Sequence, residues 1–99
     1  MISLNVEQKD SFSVISIDLG KTGVCSPEDL KNIEIPQLSG QQGIVLNGRA
    51  PVWVFGFLIH HFHAFQWVAT NDPRLGGGVV VESHLKGISV GDIIPLEGK

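Results

Sequence analysis

Apolar and polar residues alternate from Ser13 to Leu19. Ile15, Ile17 and Leu19 take one side, and Ser16 and Asp18 the other. That period of two predicts a half-buried strand. Ser26-Pro27-Glu28-Asp29 reads as a helix start: Ser26 can cap, Pro27 suits the first helical position, and the two carboxylates complement the helix dipole. This helix is expected to stop before Pro36. Gly43 to Leu46 predicts a short buried strand, and Asn47-Gly48-Arg49-Ala50-Pro51 a turn out of it. Pro51 to His63 is apolar on all sides, so its period decides nothing. Its length and early proline predict a buried helix, with Gly56 allowing close packing. Trp67 to Thr70 reads as a strand, Asp72 to Gly78 as a turn, and Val79 to Val81 as a further strand. Ile93 to Leu96 reads as an edge strand, because Pro95 cannot donate to a central ladder. Strand, helix, strand, helix, then strands predicts one small α/β domain over residues 1–99. It would hold a mixed β-sheet, with parallel pairs joined by helical crossovers.

Composition narrows the partners. The chain is 42% hydrophobic and only 17% charged, an under-charged surface that leaves apolar area for a subunit interface. The apolar run from Pro51 to His60 is too short to span a membrane, and no basic-then-apolar leader opens the chain. Cys25 is the one cysteine, which excludes an internal disulfide framework and fits a reducing cytoplasm. A net charge of −3 does not favour nonspecific binding to long nucleic acid, and neither a DNA nor a membrane partner is expected. An anionic ligand would have to be held locally, by arginines, backbone N–H groups or a metal.

The candidate chemistry lies between Asn47 and His84, which contains all four histidines, both tryptophans and both arginines. Asn47-Gly48-Arg49 sits where a strand hands over to a helix N-terminus. There Arg49 is either an anion-binding fork or a surface arginine in a tight turn. His60, His61 and His63 close the apolar segment, and His60 and His63 would share a helix face. Histidine serves as acid, base or metal ligand, although a lone one is more often structural. Asp72-Pro73-Arg74 fixes a carboxylate and a guanidinium around a rigid proline at a strand end. Read by itself, it is a capped turn with a surface ion pair. Gly76, in the triplet Gly76-Gly77-Gly78, permits close approach of backbone to ligand. Ser11 and Ser13 flank Phe12 as candidate ligand donors, and Ser13 is kept as a binding candidate. His84 follows an apolar strand and can join the same site or stand exposed at the strand end. Trp53 and Phe57 are expected in the core. Trp67 either stacks a base or packs, and packing is the safer expectation.

Taken together these residues resemble a known family. Gly48-Arg49-x-Pro51-x-Trp53, Leu58-x-His60-x-x-His63, Trp67-Val68-Ala69-x-x-Asp72-Pro73-Arg74-Leu75-Gly76 and Val79-Val80-Val81-x-Ser83-His84 are similar in order to one group of small proteins. These are the third family of ring nucleases of type III CRISPR systems, distant relatives of the CRISPR-associated Rossmann-fold sensors. The resemblance implies a truncated Rossmann-like fold and a cytoplasmic homodimer or higher homo-oligomer. The implied enzyme is a Mn²⁺-dependent phosphodiesterase that cuts cyclic tetra-adenylate to short linear adenylates. It implies His63 and Asp72 as catalytic residues and metal ligands, and Arg74 as a phosphate contact. It also implies His60 and His84 as recurrent histidines. Arg49 is added from the local reading alone. In this family His63 and Asp72 can meet across subunits. Ala64 and Asn71 depart from the family pattern, which places a proline or polar residue after the histidine and an aromatic before Asp-Pro-Arg.

Two other functions use much the same residues. One is a Mn²⁺-dependent exoribonuclease trimming adenosines from short adenosine-rich RNA, which would need a groove for a linear strand. The other is a non-catalytic cyclic oligoadenylate sensor or sink. An unrelated small metabolic domain ranks below both.

Overall fold

Six strands form one mixed sheet in which spatial order follows chain order, β1-β2-β3-β4-β5-β6. The computed structural model describes residues 1–96. The strands are β1 (Ser3–Gln8), β2 (Phe12–Asp18), β3 (Gly43–Gly48), β4 (Trp67–Asp72), β5 (Gly77–Ser83) and β6 (Ile93–Ile94). The central strands β2, β3 and β4 are parallel. β1 pairs antiparallel with β2, and β5 and β6 complete the other side antiparallel. The one α-helix among the described residues, α1 (Val52–His61), joins β3 to β4.

This architecture corrects the expected α/β, Rossmann-like fold: the domain is sheet-rich. The segment that opens at Ser26 forms only a 3-10 turn, Pro27–Asn32, with no buried residue. The cause is local. Pro36 holds Ile35 away from helical angles, and Ile33-Glu34-Ile35 alternates with the wrong period for a helix. What remains is too short to persist without an apolar stripe to dock. The crossover from β2 to β3 is therefore mostly irregular chain. It still packs Leu30, Ile33, Ile35 and Leu38 onto the core. β1 was not among the expected elements, and β6 is two residues long where Ile93 to Leu96 was expected.

The two faces of the sheet are covered differently. On one face α1 and the crossover lie over Ile15, Ile17, Ile44, Leu46 and Val68, with Val54, Leu58 and Phe62 coming down from the helix side. On the other, Phe12, Val14, Val45, Trp67, Ala69 and Val80 are covered by Ile88, Ile94 and Leu96 from the segment after β5. Trp67 is packed here and so is not a stacking platform. Its indole lies where a side chain at Gly43 would be, so that strand position needs glycine.

The helix is less buried than its composition predicts. Val54 and Leu58 are fully covered, whereas Val52 is 85% exposed. Among the described residues nothing outside the helix lies within 4 Å of where a side chain at Gly56 would be, so the expected close packing there does not occur. No helix among the described residues is long and apolar enough to cross a membrane.

Candidate functional site

The candidate residues collect at opposite ends of the parallel strands. β3 ends at Asn47-Gly48, and Gly48 takes a φ of 130°, which turns the chain towards α1. A side chain there would meet the Ile17 carbonyl oxygen at 2.8 Å. Arg49 follows, exposed. β4 ends beside it at Asp72, which caps the short 3-10 turn Pro73–Leu75. The Asp72 carboxylate Oδ1 accepts the Arg74 backbone N–H at 3.0 Å and the Arg74 Nε at 3.5 Å. Gly76 leaves that turn in the left-handed region, with φ 82°, and donates its N–H to the carbonyls of Asp72 and Pro73. Arg74 is 89% exposed, so its charge is presented to solvent. The carboxyl end thus gathers Arg49, Asp72, Arg74 and Gly76.

The helix runs back to the amino end and delivers the histidines there. The rings of His60 and His63 stack with centroids 5.8 Å apart and planes within 16°. His63 Nδ1 donates to the His60 carbonyl at 2.9 Å. A carbonyl only accepts, so Nδ1 carries the proton, and Nε2 of the neutral ring is left as an acceptor. His84 arrives from the far end of β5. Its backbone N–H donates to the Gln66 carbonyl at 2.8 Å, and its Nε2 donates to the His63 carbonyl at 2.8 Å. Glu82 Oε2 stands 3.0 Å from the same Nε2. His60, His63 and His84 therefore form one cluster. His61 points away from it, with its ring edge-on to Phe62.

His63 and Asp72 do not meet in one protomer. β4 lies between them, and at about 3.3 Å per residue its length separates the two ends by roughly 17 Å. Ser13, the binding candidate from β2, is fully buried and donates to Gln42 Oε1 at 2.6 Å. Its hydroxyl is committed to the packing of the sheet.

Sequence reasoning gave no role to Glu82, Gln42 or Asn71. Glu82 could have been found from its spacing, because two residues along a strand share a face and it stands two before His84. Gln42 accepts from both Ser13 and Gln8, a pairing across the sheet that no local pattern announces. Asn71 donates its Nδ2 to Asn47 Oδ1 at 2.9 Å.

Residues 19–95 match the family model described as CRISPR-associated protein (Cas_csx3). The chain belongs to this CRISPR-associated family. A similar chain from Aquifex aeolicus (strain VF5), described as an uncharacterized protein, is 44% identical over 93 residues. That alignment covers 90% of the present chain and 82% of the relative. The family match spans both ends of β4 and reaches from the start of the crossover to Pro95.

Proposed function

We propose that this CRISPR-associated protein is a phosphodiesterase that opens cyclic tetra-adenylate to short linear adenylates, at a site shared between subunits. The reading is supported most by the placement of two incomplete half-sites at opposite ends of one strand. The carboxyl end offers Arg49 and the Asp72–Arg74 pair. The amino end offers His63, whose Nδ1 is engaged and whose Nε2 is free. Two protomers meeting end to end bring one chain's His63 to the other's Asp72.

In that arrangement the two arginines hold phosphate oxygens and offset the charge that builds up on phosphorus. His63 Nε2 exchanges a proton with the attacking or the leaving oxygen. The Glu82–His84 pair keeps the His63 backbone in place through its carbonyl. The implied Mn²⁺ does not fit a single protomer, because among the described residues no three His, Cys, Asp or Glu side chains, the histidine cluster included, are placed to hold a metal ion. No step is assigned to the ion, and it enters as a variable of the experiment.

The experiment is incubation of the protein with cyclic tetra-adenylate, with and without Mn²⁺, and chromatography of the products. Linear adenylates that vanish in the His63→Ala and Asp72→Ala variants support the reading. An intact ring in every arm overturns it. The separation of His63 from Asp72 also favours a second reading, a sink that binds the ring without turnover. Tight binding of an intact ring would establish that instead.

A further inference from the structure

The face of the sheet opposite α1 is apolar over most of its area. Towards the carboxyl end of the parallel strands it turns polar in a single row across three of them. Ser16 on β2 pairs in register with Asn47 on β3, and Asn71 on β4 continues the line. All three are half-buried. The row below it, Val14, Val45, Ala69 and Val80, is what a packed sheet face normally carries. Polar groups in the middle of a sheet cost stability unless they are paired, and here the pairing has a direction. Asn71 Nδ2 donates to Asn47 Oδ1 at 2.9 Å, and Asn47 Nδ2 approaches Ser16 Oγ at 3.5 Å. This order fixes how both carboxamides face. The Asn71 Oδ1 acceptor, and one amide hydrogen on each asparagine, remain outside the ladder. On β5 the register partner of Asn71 is Gly78, so that strand contributes no side chain beside the carboxamide.

We propose that the Ser16–Asn47–Asn71 row reads the adenine base of the ligand, an inference that rests on the proposed function. A carboxamide held in one orientation presents an acceptor and a donor side by side. Adenine offers the complement, an N6 amino donor next to a ring-nitrogen acceptor, and asparagine pairs with adenine in this bidentate way. The row stands where such a reader is needed. Arg49 lies two residues beyond Asn47, and Arg74 three beyond Asn71, so base and phosphate contacts share one end of the sheet. Hypoxanthine carries an oxygen in place of the amino group. It would set that oxygen against Asn71 Oδ1, leaving the acceptor unpaired.

The test compares binding of cyclic tetra-adenylate and of its inosine counterpart to the full chain, by titration calorimetry. The wild type is expected to favour the adenine ring by about tenfold or more. Asn71→Ala and Asn47→Ala should bring that ratio close to one. Asn71→Asp keeps the shape but exchanges the donor for an acceptor, and it too should lose the preference. A thermal melt of each variant confirms that it is folded, and a ratio is a readout that loss of folded protein does not move. Variants that keep the wild-type ratio overturn the proposal, as does a wild type that binds both rings equally. A wild type that binds neither ring overturns the proposed function and this inference with it.

Discussion

The histidine cluster at the amino end of β4 is held by a web of hydrogen bonds, whereas the Asp72–Arg74 pair at the carboxyl end is held by one short turn. At the amino end His63 is fixed through His60, and its carbonyl is fixed by His84, which is tied in turn to Gln66 and Glu82. At the carboxyl end the Asp72 carboxylate bonds, among the described residues, only within its own turn, and Arg74 extends into solvent. The difference teaches how the proposed reaction divides its labour. A group that exchanges a proton needs a fixed ring and tautomer. A group that captures a flexible polyanion works as an exposed charge that closes onto it.

Mixing two inactive variants would break this division most decisively. His63→Ala and Asp72→Ala should each lose about 100- to 10,000-fold in cleavage rate, the range typical of a lost acid–base group. Mixed in equal amounts, they should recover part of the wild-type rate, because each supplies the half-site the other lacks. No recovery in the mixture would overturn the shared site.

Gly43→Val would disturb the amino end alone. The new side chain competes with the Trp67 indole, and overpacking of this kind costs about 1–3 kcal/mol. Urea unfolding should show a lower midpoint. Arg74→Ala, at the open end, should leave that midpoint within about 0.5 kcal/mol of wild type while weakening ring binding. Equal effects of both substitutions on stability would contradict the contrast.

Glu82→Gln sharpens the comparison with a smaller change. The pair it breaks is partly solvated, so less than about 1 kcal/mol of stability is expected to go. The cleavage rate should fall further than stability does, because His84 loses one of the contacts that position it. Asp29 gives a control remote from both ends. The Ser26 backbone N–H, and then the chain's N-terminal amine, hold its carboxyl below the usual range. A depressed folded value stabilises above the unfolded value, and that contribution fades as pH falls through the folded one. Asp29→Asn should flatten the decline of melting temperature below about pH 4, with cleavage unaffected.

The strands that were legible in the sequence are those whose packing is written in their own residues. Ile15 and Ile17, Ile44 to Leu46, Val68 and Val80 are β-branched or aliphatic in short runs, and a buried strand is the natural form for such runs. The helix was legible from the length of its apolar segment. Its depth was not, because a segment apolar on all sides does not say which side has a partner. The crossover misled because Ser26-Pro27-Glu28-Asp29 is a sound helix start with too few helical residues after it, and that error carried the element order towards α/β with helical crossovers. Of the site, the histidine cluster and the Asp72–Arg74 pair were legible as local groups. Their separation follows from the strand between them. The burial of Ser13 depends on Gln42, a distant residue that no local spacing reveals.

The in-order sheet also bears on how the chain reaches this state. Each strand pairs with its neighbours in sequence, so the sheet can grow from one edge without threading or exchange of partners. Two closures, β1 to β2 and β4 to β5, are short turns, and residues 84–92 join β5 to β6. The long ones are the return from β3 through α1, which forms its own local hydrogen bonds, and the passage from β2 to β3, which has only a single 3-10 turn to shorten it. Loop entropy falls most heavily on that second passage. Registration of β2 against β3 is therefore the step expected to set the folding rate, and stiffening residues 33–42 would speed assembly while leaving both half-sites untouched.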